Sequence, residues 1–166
     1  MIFIPWAEEA AKSLVLISRT AGTNIGDMTA VGGLVAAFDG VTSQANTACA
    51  RSATAGQPGY VGKTLASPKI FGRAIIYGSN NAGFTYGANP SEDITIYGKQ
   101  GSPPSGRTDG TGISSTLSFT DTNDESAGRT LNSTDLVTQW DHIWAYVVPG
   151  GSGSAFVAEL VLYEWA

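Results

Sequence analysis

The sequence predicts an all-β fold, an antiparallel β-sandwich of the jelly-roll kind, on three observations. Short runs rich in Val, Ile, Tyr, Phe and Trp recur along the 166 residues. Glycine, proline, asparagine or aspartate bounds each of them, and no stretch carries an extended helical period. Twenty-one glycines supply the positive φ angles that frequent tight turns require. With 42% hydrophobic and 14% charged residues, the chain is long enough and apolar enough for one domain with a buried core.

Residues 1–12 read as a short N-terminal arm and residues 13–166 as the β-sandwich domain. The arm places Ile2, Phe3, Ile4 and Trp6 around Pro5 and then "AEEAAK", enough for about one helical turn. Its apolar side chains need cover, either from the domain's own core or from a neighbouring subunit. "SLVLIS" (13–18) is the first expected strand, and the turn-rich "TAGTNIGDMTAVGG" follows it. After "LVAAFDG" (34–40), further strands are expected in "GYVGKTL" (59–65), "AIIYGS", "ITIYGK" from Ile94, "STLSFTDT" around Leu117 and Phe119, "HIWAYVV" and "AFVAELVLYEW". The last alternates Phe156, Ala158, Leu160 and Leu162 against Val157, Glu159, Val161 and Tyr163, so one of these faces belongs to the core. Pro103, Pro104 and the glycines of "GKQGSPPSGRTDGTGISS" (98–115) forbid regular structure and predict a surface loop. In "DTNDESAGRTLNSTD", Asp121, Asp124 and Glu125 read as a solvated turn, with a cation site as the alternative.

Composition also narrows the function classes. The formal net charge is −5 and the nine Lys and Arg are scattered from Lys12 to Arg129, which argues against a nucleic-acid or phosphate-binding surface. The single cysteine, Cys49, excludes an internal disulfide framework and a Cys-x-x-Cys zinc site. Glu8, Glu9 and Lys12 interrupt the opening, so no signal peptide is expected, and no apolar run approaches the ~20 residues that cross a bilayer.

Catalytic patterns are thin. His142 stands alone between aromatics in an expected strand, the place of a packed or edge residue. "GGSGSA" (150–155) joins two strands, whereas a nucleophile elbow needs a strand followed by a helix. "GQPGYVGKT" has Gln57 where a phosphate loop needs glycine. Asn132-Ser133-Thr134 satisfies the glycosylation sequon, which matters only in a secretory pathway. The acidic residues fall mostly in polar turns, where nothing raises a carboxyl as an acid catalyst requires. A non-enzymatic role is expected.

Binding chemistry is better supplied. The loop from Gly78 to Asp93 places the amides of Asn80 and Asn81 beside the rings of Phe84 and Tyr86, and sugars are held by that mixture of stacking and hydrogen bonding. The other reading of the same loop tucks Phe84 and Tyr86 into the core.

Taken in order, "AAFDG" (36–40), "GYVGKTLASPKIFGRAIIYGS" (59–79), "ITIYGKQG" (94–101) and "HIWAYVVPGGSGSAFVAELVLYEW" (142–165) resemble the pieces of a discoidin-like domain. This is the galactose-binding-like jelly roll, also called the coagulation-factor C-terminal type. The resemblance implies a binding module, commonly for carbohydrate. It also implies a structural calcium ion held by Asp39 and Glu159, with Thr42 nearby. Val41 stands where an Asn or Asp commonly follows the "DG", and the usual tryptophan is absent from "VTSQANTACA". The plain alternative has Asp39 capping a turn and Glu159 facing solvent.

A glycine-rich β chain with an apolar arm is also similar to virion proteins of tailed bacteriophages, such as decoration proteins, head spikes and tail fibres. That likeness implies a virion location, attachment to other virion proteins or sister subunits through the arm, a homo-oligomeric state and loops presented to host glycans. Two alternatives stand beside it: a purely structural virion subunit making only protein contacts, and a carbohydrate-binding accessory domain of a glycan-active enzyme.

Overall fold

The computed structural model describes residues 12–85, 91–122 and 124–166; apart from Lys12, the expected arm lies outside them. Twelve strands and one helical turn follow in order: β1 (Leu14–Leu16), β2 (Thr23–Gly26), β3 (Ala30–Val31), α1 (Gly33–Ala36), β4 (Ala50–Arg51), β5 (Gly59–Tyr77), β6 (Ser91–Lys99), β7 (Thr111–Gly112), β8 (Leu117–Thr120), β9 (Arg129–Asn132), β10 (Gln139–Val148), β11 (Phe156–Val157) and β12 (Glu159–Trp165). The pairings among these strands are antiparallel, as the sequence predicts.

The 19-residue β5 organises the sandwich. "GYVGKTL" and "AIIYGS", expected as separate strands, are the two halves of this one strand. Its first half lies between β2 and β10, and its second half between β12 and β9. The change of sheet falls at the exposed Ala66, Ser67 and Pro68. There Thr64 pairs with His142 and Lys69 with Trp140, so four β5 residues (65 to 68) stand opposite Asp141 alone. Proline has no N–H to give a ladder, and this bulged corner asks for none. β6 extends the first sheet beyond β10 and carries β7 and β8, while β1 closes the second beside β12.

The core fills the space between these sheets. Phe71, Ala74 and Ile76 of β5, Leu131 of β9 and Leu160 and Leu162 of β12 share one cluster with Val61, Leu65, Ile94, Ile96, Ile143, Ala145 and Val147. Burying each large member is worth about 1.5–3 kcal/mol. The alternation expected along the C-terminal strand holds for Leu160 and Leu162 but breaks before them. Phe156 and Ala158 join a separate cluster with Cys49 and Ala82, and Val157 faces the main core instead. The reason is a change of partner: β11 pairs with β4 and β12 with β5, and the bend at Ala158 between them shifts the phase.

The expected loop 98–115 begins two residues late, since Gly98 and Lys99 still belong to β6; the rest is irregular as expected, apart from the two residues of β7, but it is firmly fastened. Lys99 and the Ser105 amide and hydroxyl all bond Asp109, and these contacts, Lys99 first, hold its carboxyl well below the usual carboxylate range. His142 is the packed residue expected: its Nε2–H donates to the Gly101 carbonyl at 2.8 Å, and its Nδ1 lies 2.8 Å from the Thr64 hydroxyl.

Candidate functional site

The loop predicted to bind ligand is built into the end of the sandwich beyond β5. The Asn80 amide N–H donates to Gln44 O at 2.8 Å, and the Asn80 side chain donates through Nδ2 to Ser43 Oγ at 3.2 Å. Asn81 Oδ1 accepts from the Asn46 backbone N–H at 2.9 Å and from Ser79 Oγ at 2.7 Å. Each asparagine thus spends one end of its amide on its neighbours. The other ends, Asn80 Oδ1 and Asn81 Nδ2, have no partner among the described residues. Phe84 requires a correction. Its ring is fully buried and meets Phe119 edge-on, with centroids 5.7 Å apart, so it has no open face on which a sugar could stack. Tyr86 lies outside the described residues.

Of the three acidic residues in the turn, Asp121, Asp124 and Glu125, Asp124 alone is exposed, and it caps Ser126. Glu125 is buried against Arg129 through two contacts of 2.6 Å, and that guanidinium also covers the Phe119 ring at 4.4 Å. Asp121 turns inward, where its Oδ2 accepts from the Phe84 and Thr85 amides at 2.7 and 3.0 Å. Glu92 shares the inward phase of β6 with Ile94 and Ile96, and among the described residues neither of its oxygens meets hydrogen-bond geometry, although the Gly150 amide lies close enough to draw its carboxyl downward. Burial first, and the Asp121 charge second, push the Glu92 carboxyl up to about 8. Burial likewise pushes Asp121 up to about 6, against the pull of the two amides. The expectation that nothing raises a carboxyl in this chain is therefore corrected; both groups are enclosed, at 0% and 1% exposure.

The calcium expectation meets a different difficulty. Glu159, expected either as a ligand or facing solvent, is fully buried. Its Oε1 receives Arg19 Nε at 2.5 Å and its Oε2 receives the Gly40 amide at 3.0 Å. Asp39 caps a turn, its Oδ1 accepting from the Val41 amide at 2.8 Å, and the Gln44 side-chain amide sits on both of its oxygens. Thr42 makes no hydrogen bond to either carboxylate among the described residues. Among those residues no three His, Cys, Asp or Glu side chains gather around one point. As arranged, Asp39, Thr42 and Glu159 do not fit a shared calcium ion. Nearby, burial pushes the Cys49 thiol up to about 12, with Asp39 adding to the effect.

Sequence reasoning missed a surface on the outer side of the first sheet. Tyr60 of β5 stands directly opposite Tyr146 of β10, and Tyr97 of β6 directly opposite Trp144 of β10. Tyr97 stacks on the Trp144 indole at 5.7 Å and 17°, while Tyr60 and Tyr146 complete the group edge-on. Gly62, opposite Trp144, lets the two strands close up, and Gly110 makes room for the indole: a Cβ at Gly110 would come within 2.5 Å of the Trp144 Cη2. The indole is fully buried because the proline-rich loop folds over it. Its Nε1–H donates to Arg107 O at 2.7 Å, and Arg107 in turn pairs with Asp27, whose other oxygen takes the Tyr60 amide.

The three tyrosines are half-buried, and their hydroxyls have no partner among the described residues. Burial raises the Tyr60 and Tyr146 phenols above their ordinary value, with Asp27 adding to the rise at Tyr60, so both remain protonated donors. Strand phase was the available signal: Tyr60, Tyr97 and Tyr146 all fall on positions that alternate with core residues.

This fold is similar to several solved structures. The family 32 CBM from C. perfringens NanJ, in complex with galactose, matches with a TM-score of 0.64 at 18% identity, over 92% of this chain and 100% of that one. A fucose-binding module of Streptococcus pneumoniae, SpX-3, matches at 0.59 and 16% identity over 92% and 100%. Truncated AlyQ, which carries CBM32 and alginate lyase domains, matches at 0.61 and 15% identity over 93% of this chain and 34% of that one. At these identities the likeness establishes the antiparallel β-sandwich fold that these modules share. None of the three is described as a virion protein. No protein-family model matches the chain in sequence, and no curated protein does.

Proposed function

We propose that this chain is a non-catalytic carbohydrate-binding module that holds a glycan on the outer sheet face. The observation that carries this reading is the group of half-buried tyrosines around Trp144. Tyr60, Tyr97 and Tyr146 offer ring surface together with unpaired hydroxyls, beside the charged pair of Arg107 and Asp27. Apolar C–H faces of a sugar rest on such rings, and its hydroxyls pair with phenol, guanidinium and carboxylate. The complex of a similar fold with galactose and the fucose-binding description of SpX-3 support the same ligand class.

A second contact at the loop end is favoured by the spare amide ends of Asn80 and Asn81. AlyQ pairs this fold with a lyase domain, which supports service as the accessory domain of a glycan-active enzyme. The virion setting rests on the sequence likeness alone.

A glycan array that includes galactosides, fucosides and alginate oligosaccharides tests the proposal. The wild type is expected to be retained, and the Tyr60→Ala/Tyr146→Ala variant to lose about tenfold or more in affinity, roughly 1.4 kcal/mol. Loss in an Asn80→Ala/Asn81→Ala variant with full retention in the tyrosine variant would move the site to the loop end. A blank array for the folded wild type would refute glycan binding.

A further inference from the structure

The surroundings of Gln44 differ from those of an ordinary buried amide. The residue is 8% exposed, and its Nε2 lies 3.0 Å from Asp39 Oδ1, 3.0 Å from Asp39 Oδ2, 3.1 Å from Val41 O and 3.4 Å from Ala158 O. An amide nitrogen has two protons to give, so four oxygens face a donor able to satisfy two. Several oxygens from separate loops converging on one point, a carboxylate among them, is how a protein surrounds a hard cation. The next residue after Ala158 is Glu159, whose buried carboxylate takes Arg19 Nε and the Gly40 amide. Two carboxylates therefore serve the junction where segments 39–44 and 158–159 meet, Asp39 holding the Gln44 amide and Glu159 the Arg19 guanidinium. Lys63, a buried basic group nearby, donates to Arg19 O and Asn24 Oδ1 and is not bonded to either carboxylate.

We infer that Gln44 and Arg19 are built-in replacements for a divalent cation: the amide plugs the oxygen cradle, the guanidinium neutralises Glu159, and the fold is independent of calcium. The cradle is thus a latent metal position that reappears when the plug is removed. Gln44→Ser tests this, since it empties the centre of the cradle and leaves a hydroxyl oxygen at its edge.

Thermal unfolding is measured with millimolar calcium and with a chelator. The wild type is expected to melt at the same temperature in both. Gln44→Ser is expected to melt lower in chelator and to gain on the order of 5 °C in calcium. Terbium luminescence should likewise appear in Gln44→Ser, and it should vanish in Gln44→Ser/Asp39→Asn. A chelator-sensitive wild type would overturn the inference. So would a folded Gln44→Ser with no calcium response, or an equal response in the double variant, which would place the ion elsewhere. If Gln44→Ser does not fold in chelator, recovery of folding on adding calcium supports the inference and failure in both conditions overturns it.

Discussion

Trp144→Ala is expected to cost about 3–5 kcal/mol of stability, the range for removing a fully buried large aromatic, and to abolish glycan retention with it. Three losses coincide at this residue. The stacked Tyr97 and the edge-on Tyr60 lose the ring they rest on. The gap left beside Gly110 has no Cβ to help close it. The Arg107 carbonyl loses its indole donor, so the loop 98–115 loses its central anchor. Chemical denaturation gives the first effect and the glycan array the second. The third predicts faster trypsin cleavage after Arg107 in the variant than in the wild type. A variant that retained glycan at wild-type affinity would show that the tyrosines do not need their aromatic base.

The second large effect concerns pH. A carboxyl whose folded pKa is raised above its unfolded value binds more protons in the native state, so its stabilising contribution is full below the unfolded pKa and is lost as pH rises through the folded one. For Glu92 the window runs from 4.5 to about 8, and for Asp121 from 3.8 to about 6. The fold is therefore expected to lose several kcal/mol between pH 5 and 9, at about 1.4 kcal/mol for each pKa unit. Glu92→Gln keeps the size of the side chain and removes its titration. Urea midpoints measured across this range should fall steeply for the wild type and much less for Glu92→Gln. Equal slopes would show that Glu92 is not the group responsible.

The strands were largely legible because their apolar phase is a local property. Ile94 and Ile96 alternate with Thr95 and Tyr97, and that alternation by itself places Tyr97 outside; Glu92, read as part of the loop 78–93, continues the same strand and falls inside. The aromatic face was harder to see because it is a matter of register. Tyr60 and Tyr146 become a pair only once β5 and β10 are aligned, and 86 residues separate them in the chain. Phe84 misled for the opposite reason: a loop has no period, so nothing local distinguishes a presented ring from a buried one. The partners of Asp39 and Glu159 were equally hidden. Gln44 reads as one polar residue among several in "VTSQAN", and Arg19 reaches Glu159 across 140 positions of sequence. The fold was thus readable from patterns within elements, whereas the candidate sites depend on contacts between them.

The continuous course of β5 through both sheets bears on how the molecule opens. In a sandwich whose sheets are linked only by loops, one sheet can fray while the other stays closed. Here the same backbone runs between β2 and β10 and then between β12 and β9, so releasing either half removes the central strand of both layers. Amide hydrogens on the two halves should therefore exchange with solvent in a single cooperative event, with similar protection at Val61 and Ile76. The tyrosine face, resting on the first half, is held in shape by the packing of the second.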